Sequence, residues 1–262
     1  MKVAVCFCGF NRDSYLKINL KKILNDYIFN NRLTIIDAYY HTYSSKYEDT
    51  NNPIDVENIK TSFQDNGIDN FYLIHEEYNL TYFLRKIKES NHQIPYNSSY
   101  PLLNRFLSSI YSFSKVYASI DGEYDFILHL RLDYMDQIKW NKYDISQLKK
   151  GHIVCGHQTD PSKFIDPRFL FGHFEDMINL KNMFTLFFDF YDPIINNRDH
   201  IFISTYITTY LKFRTLPISN MIDNSIIRNK DILSGPAFFK GVQTEHYYHM
   251  IMNIYNNITY GS

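Results

Sequence analysis

The chain has 262 residues, with 27 Lys and Arg against 28 Asp and Glu and a formal net charge of −1. So even a balance excludes an electrostatic grip on DNA or RNA, which depends on a surplus of basic side chains. The length is enough for a sizeable core, and 45% hydrophobic with 21% charged residues excludes a disordered or fibrous chain.

Lys2 to Cys8 is a mostly apolar run and predicts a first strand, closed by a turn over Gly9-Phe10-Asn11-Arg12-Asp13. Leu16, Leu20, Ile23, Leu24, Tyr27 and Ile28 then recur at helical spacing, and Leu33 to Tyr40 predicts a second strand. Strand, helix, strand at this spacing is a βαβ unit with parallel strands. His41 to Pro53 is polar and predicts a loop; Val56 to Phe63 a short helix; Phe71 to Ile74 a third strand; Leu80 to Ile87 a helix. Asn91 to Pro101 is an irregular polar loop, after which Leu102, Phe106, Ile110, Phe113 and Tyr117 mark a strong helix. Tyr124 to Asp133 is the central strand. Beyond it, Ile153 to Cys155 and Arg168 to Phe171 are short apolar runs. Glu175 to Phe190 and His200 to Phe213 predict helices, and Pro236 to Ile258 a loop with a terminal helix. No internal repeat or low-complexity linker interrupts the chain, so residues 1–262 are read as one domain.

Cys6, Cys8 and Cys155 are an odd number with two in one strand, which is no disulfide framework and fits a reducing compartment. Cys6 and Cys8 share a strand face, but no second cysteine pair or histidine cluster completes a zinc site, so core packing is the better reading. No apolar run approaches the ~20 residues of a membrane-spanning helix. The N-terminal strand ends in Gly9-Phe10-Asn11-Arg12 without a small-residue cleavage site, so no signal peptide is read there. A soluble cytoplasmic protein is expected. The 23 Tyr and 21 Phe accompany abundant Ile, Asn and Lys, a bias that AT-rich codons explain. Only a few of these rings can serve as platforms for sugars or bases.

The run Tyr124-Asp125-Phe126-Ile127-Leu128-His129-Leu130 ends in Arg131-Leu132-Asp133. Side chains two apart on a strand share a face. Arg131 and Asp133 would then project together at the carboxyl end of a buried strand, where open α/β sheets bind ligands. A guanidinium there can grip a phosphate or carboxylate, and a carboxylate can hold a divalent cation or a sugar hydroxyl. The pair suits a charged, sugar-containing ligand such as a nucleotide sugar. A structural Arg–Asp pair closing the strand is the alternative.

Several segments in order resemble GT-A-like glycosyltransferases of polysaccharide loci and large DNA viruses. They are Val3-Ala4-Val5-Cys6-Phe7-Cys8-Gly9-Phe10-Asn11-Arg12, Asp37-Ala38-Tyr39-Tyr40-His41-Thr42-Tyr43, Ser109-Ile110-Tyr111-Ser112, the Arg131-Leu132-Asp133 strand, and Asp166-Pro167-Arg168-Phe169-Leu170-Phe171-Gly172 with Glu175 and Met177. The resemblance covers roughly residues 1–180 and implies an α/β, GT-A-like (Rossmann-like) mixed sheet, mostly parallel and flanked by helices. It implies transfer of a sugar from a UDP- or GDP-sugar to a glycan or protein acceptor, with a nucleotide-sugar-binding half over 1–135 and an acceptor-side half over 136–262. It departs from the usual pattern where Arg131 replaces the first carboxylate of Asp-x-Asp. Asp133 could still ligate Mn²⁺ or Mg²⁺, but Arg131 cannot, which puts metal dependence in doubt.

On this reading Phe7, Gly9, Arg12, His41, Ser109, Arg131 and Asp133 contact the donor, and Asp133 and Asp166 are catalytic. Charge builds on the leaving diphosphate as the anomeric bond breaks, and Arg12 and Arg131 could stabilise it. Backbone amides at Gly9 could add donors. Arg105 lies one helical turn from Ser109. An inverting enzyme needs a general base, for which Asp166, Glu175 and Asp176 are candidates, Asp166 being preferred. His246 and His249, three apart, could complete a metal site with Asp133. Two alternatives stay open. One is a sugar nucleotidyltransferase, which would want a glycine-rich basic loop where only Gly9 and Arg12 stand. The other is a non-catalytic glycan-binding or assembly protein of the same fold. The glycine pattern of an NAD-binding Rossmann enzyme is missing.

Overall fold

Val3, Val5 and Phe7 alternate with Ala4, Cys6 and Cys8 along β1 (Lys2–Phe10), and the first three face one apolar layer while the second three face another. A strand apolar on both faces belongs at the centre of a sheet covered on both sides. In the computed structural model, residues 1–10, 15–44, 55–77, 79–89, 100–132, 135, 138, 140–156, 166–190 and 199–218 are described. They form a seven-stranded sheet ordered β3-β2-β1-β4-β6-β5-β7. Its strands besides β1 are β2 (Ile35–Ser44), β3 (Asn70–Glu77), β4 (Phe126–Leu130), β5 (His152–Gly156), β6 (Asp166–His173) and β7 (Arg214–Ile218). The pairings β1–β2, β2–β3, β1–β4 and β5–β7 are parallel, while β4–β6 and β5–β6 are antiparallel. The chain is therefore an α/β protein with a mixed, mostly parallel sheet, and that sheet runs without a break across residue 135.

Helices cover both faces. α1 (Leu20–Leu24), prolonged by a π-helical turn over Asn25–Phe29, and α2 (Val56–Asp65) pack on the Val3, Val5 and Phe7 side. α3 (Leu80–Glu89), α4 (Tyr100–Ala118) and α7 (Asp199–Thr205) pack on the Ala4 and Cys6 side. The split follows from handedness. The chain steps outward from β1 to β2 to β3 through α1 and α2, then reverses through α3 and α4 to place β4 on the other flank of β1. Right-handed crossovers travelling in opposite directions must lie on opposite faces. Local chemistry agrees: Asn19 caps α1 by accepting from Lys22 N–H (2.9 Å), and Asp55 caps α2 by accepting from Asn58 N–H (3.0 Å).

Several boundaries differ from the sequence reading. β1 continues through Gly9 and Phe10, and β2 runs through His41 to Ser44, where a turn and a loop were expected. β4 stops at Leu130, so strand alternation does not govern Arg131 and Leu132, and Asp133 lies outside the described residues. The helix expected from Glu175 to Phe190 is broken into α5 (Phe174–Met177), a 3₁₀ stretch over Ile178–Asn182, and α6 (Phe187–Phe190). Its buried residues Met177, Leu180 and Met183 recur every third position, the period of a 3₁₀ rather than an α-helix. β7 was not expected at all. It contains Pro217, which a sheet accepts on an edge strand. The terminal helix expected within 236–258 lies outside the described residues.

Candidate functional site at the carboxyl edge of the sheet

Parallel strands β1 to β4 all end on one edge of the sheet, and antiparallel β6 begins there. Between β1 and β4 the strand order reverses, and open α/β sheets bind ligands outside the strand ends at such a switch point. Phe7 pairs with Leu130 in register, so Gly9 and Arg131 follow on either side of that point. Arg131 is half-buried, and its backbone N–H donates to the carbonyl of Arg168 on β6 at 3.2 Å. The backbone of Asp166, first residue of β6, belongs to the same edge.

Glu175 and Asp176 do not. His173 pairs with Phe126 at the start of β4, and Phe174 N–H donates to the carbonyl of Asp125 at 3.1 Å. Five residues of strand, about 16 Å at ~3.3 Å each, separate that level from Arg131. Both carboxylates have structural partners at the far edge: Glu175 pairs with Lys150 (2.5 Å), and Asp176 accepts from the N–H of Gly151 (2.7 Å). They are corrected as base candidates.

The other expected residues divide sharply. The Phe7 side chain is 0% exposed, its ring set edge-on to Phe63 at 5.2 Å. It is a core residue and is corrected as a donor contact; only its backbone belongs to the strand end. Gly9 lies in β1 opposite Thr42. His41 is also 0% exposed and sits inside β2 rather than beyond it, so its ring is corrected from a direct ligand contact to a packed one. Ser109 is half-buried on α4, where the side chain of Arg105 is not described. Arg12, Asp133, His246 and His249 lie outside the described residues, as does the side chain of Asp166.

His41 leads to a group that the sequence reading missed. Ser112 on α4 lies 2.7 Å from its Nδ1, and Glu76 Oε2 on β3 lies 3.5 Å from its Nε2. The arrangement is satisfied when Ser112 donates to Nδ1 and Nε2–H faces the carboxylate, which at that length is a close approach rather than a formed hydrogen bond. Burial, outweighing the pull of Glu76, lowers the His41 pKa to about 4, so the ring is neutral near pH 7 and the contact is no ion pair. Glu76 also pairs with Lys115 Nζ (2.9 Å) and accepts from Tyr111 OH (3.0 Å). Burial works to raise its carboxyl; the Lys115 and Tyr111 hydrogen bonds overcome this and hold it below its ordinary value. Beside the network, Tyr43, Glu76, Glu77, Asn79, Tyr82, Phe83 and Tyr111 line a cleft of about 250 Å³. The available signal was Glu76-Glu77 closing an apolar strand, with Tyr111 and Lys115 one helical turn apart on α4.

At the β1–β4 junction, His129 lies wholly inside, stacked on Phe113 at 4.2 Å, with Nε2 3.7 Å from the half-buried thiol of Cys8. Burial, helped by the charge of Arg131, lowers its pKa to about 3. Burial, with Cys8 nearby, raises the Cys6 thiol. These cysteines are packing residues, as expected. Among the described residues no group of three His, Cys, Asp or Glu could hold a metal ion, and no helix is long and apolar enough to cross a membrane.

No family model matches the chain, and no curated protein matches it. Among solved structures, the chain is similar to mouse xyloside xylosyltransferase 1 in its apo form, at 10% identity and a TM-score of 0.39, over 83% of this chain and 85% of that one.

Proposed function

We propose that this protein is a glycosyltransferase that moves a sugar from a UDP- or GDP-sugar to a hydroxyl of a glycan or protein acceptor in the cytoplasm. One observation carries the reading. The strand order reverses between β1 and β4, the place where open α/β sheets bind ligands, and Arg131 follows directly on β4 there, in a chain whose ordered motifs resemble GT-A-like enzymes. The donor's diphosphate would lie across the ends of β1 and β4. Arg131 and Arg12 meet the negative charge that grows on the leaving phosphates, Arg131 through a planar fork matched to phosphate oxygens. Asp133 accepts hydrogen bonds from the transferred sugar and is the residue proposed to hold Mn²⁺ or Mg²⁺, which when bound adds positive charge at the diphosphate. Asp166, whose backbone opens the neighbouring strand on the same edge, takes the acceptor's proton if transfer inverts the anomeric centre.

Thermal shift with UDP, GDP, CMP and ADP, each with and without Mn²⁺, tests the donor class, since a ligand of the folded state raises Tm by mass action. A rise with a uridine or guanosine diphosphate supports the reading, and no rise with any of the four sinks it. Asp133→Ala should abolish transfer with the melting temperature retained; wild-type turnover would remove Asp133 from the mechanism. A glycan-binding protein without turnover is the second reading, favoured by the aromatic cleft. Hydrolysis of a donor sugar in the absence of acceptor separates the two.

A further inference from the structure

β3 is the outermost of the described strands at one border of the sheet, and among the described residues it pairs with β2 alone. Every second residue of such a strand turns its N–H and C=O outward, where a further strand can meet them. Guarded borders use a very short strand, a proline, a lysine or a bulge. β3 has eight residues without Pro, Gly or Lys, and its register against β2 runs without a shift. Charge is confined to Glu76 and Glu77 at its end. The rest is apolar for a border: Phe71, Leu73 and Ile74 are half-buried, and Tyr72 is 45% exposed.

Tyr72 points to the occupant. Its ring stacks on that of Tyr39, its register partner on β2, at 4.7 Å and 15° between planes, so the two rings form a row across the strands. A second copy of β3, antiparallel and related by a two-fold axis at Tyr72, continues the row with the partner's Tyr72. Opposed residues of an antiparallel pair share a face. The same register sets Phe71 against the partner's Leu73, and, one step beyond the strand, His75 against the partner's Asp69. Each of these contacts occurs twice by symmetry. The last is complementary in charge and hydrogen bonding. The Asp69 side chain is 38% exposed; it accepts from Lys21 Nζ (2.9 Å) and from the N–H of Ile36 (2.8 Å), and a carboxylate has room for one more donor. His75 is exposed, and no hydrogen-bond partner engages its ring among the described residues. Its imidazole N–H is that donor.

We propose that β3 is a self-association edge, through which two copies of the chain pair by antiparallel β3 strands centred on Tyr72 and join two seven-stranded sheets into one. The arrangement is isologous, so it closes at two copies. One strand pair covers less than the roughly 1,600 Å² of a standard interface, so the dimer dissociates on dilution. The pairing is independent of the chemistry at the mouth between β1 and β4.

Sedimentation velocity on the full chain, over a series of concentrations, tests this. The mass should rise from one chain toward two as concentration increases. Tyr72→Lys, which opposes two ammonium groups at the axis, should raise the dissociation constant about tenfold. His75→Asp, which faces Asp69 with a second carboxylate, should raise it less. Tyr72→Cys reads the register. Opposed Cα atoms lie roughly 4.5–5.5 Å apart, within the span of a disulfide. Oxidised glutathione should therefore couple the two new thiols into a disulfide between copies, taking up their two protons and two electrons as two molecules of reduced glutathione. Ile74→Cys, which this register sets against Asn70, should not couple, nor should the unaltered chain. A single-chain mass at every concentration overturns the proposal. So does a dimer that neither Tyr72→Lys nor His75→Asp weakens, or one that Ile74→Cys couples as readily as Tyr72→Cys. If Tyr72→Lys lowers the melting temperature, His75→Asp and Tyr72→Cys decide the matter.

Discussion

The sheet edge carries two regions of opposite character. Between β1 and β4 the fold presents a guanidinium, with Arg131 set against β6 through its backbone and its charge bearing on the buried His129. Between β2 and β3 it presents rings and carboxylates, tied to the buried His41. Both regions rest on a neutral imidazole inside the sheet, and both use the ends of parallel strands. They differ in the side chains at the strand ends: Arg131 follows β4, while Glu76 and Glu77 close β3. One architecture thus sets a cationic strand end and an acidic, aromatic one on the same edge of the sheet.

The largest expected effect concerns the mouth. Arg131→Ala should lower the transfer rate by about 10²–10³, the scale of losing one preorganised charge-stabilising group, as read by kcat with a UDP- or GDP-sugar. A smaller drop would shift the burden to Arg12. Stability then distinguishes fold from site through pH. The His41 pKa is about 4 and that of His129 about 3 in the fold, both below the ordinary value of 6.5. Between those values the unfolded chain binds more protons, so stability is full above pH ~6.5 and falls as pH drops toward 4, by an amount on the order of 3 kcal/mol per histidine. Urea unfolding at a series of pH values reads this slope, and His41→Asn should remove part of it; an unchanged slope would mean that His41 does not carry it. Next, Glu76→Gln should cost about 1–2 kcal/mol by weakening the charge-assisted bonds from Lys115 and Tyr111, measured by the same unfolding curves. The smallest effect is that of Tyr82→Ala on stability, within about 0.5 kcal/mol for an exposed ring. A larger loss would mean that the contacts of its ring with Phe83, Tyr111 and Phe184 make Tyr82 a packing residue of this region.

The first half of the fold was legible because its strands are central and apolar. β1 and β4 are continuous hydrophobic runs, and the periodicity of α4 leaves no alternative to a helix. Ends were misread where polar residues remain in the ladder. His41 and Thr42 look like loop residues in the sequence, yet they sit at 0% exposure in β2, where Ser112 of α4 partners the Nδ1 of the imidazole. β7 was hidden by Pro217, and the break in the helix after β6 by a spacing that fits both α and 3₁₀ turns at short range. Arg131 was legible as the charge that follows a buried strand. Phe7 was misassigned because a motif marks a segment and does not reveal which of its side chains turn inward. Glu76, Lys115 and Tyr111 come from β3 and α4, separated in sequence, and only the packing of helix on sheet joins them.

Pro217 has a bearing beyond sheet assignment. It stands in the outermost of the described strands, opposite Cys155, and an imino nitrogen has nothing to donate. A stray extended chain approaching this border meets a ladder with a missing rung. At that border, intermolecular zippering of the kind that seeds fibrils is discouraged by one ring closure in the backbone.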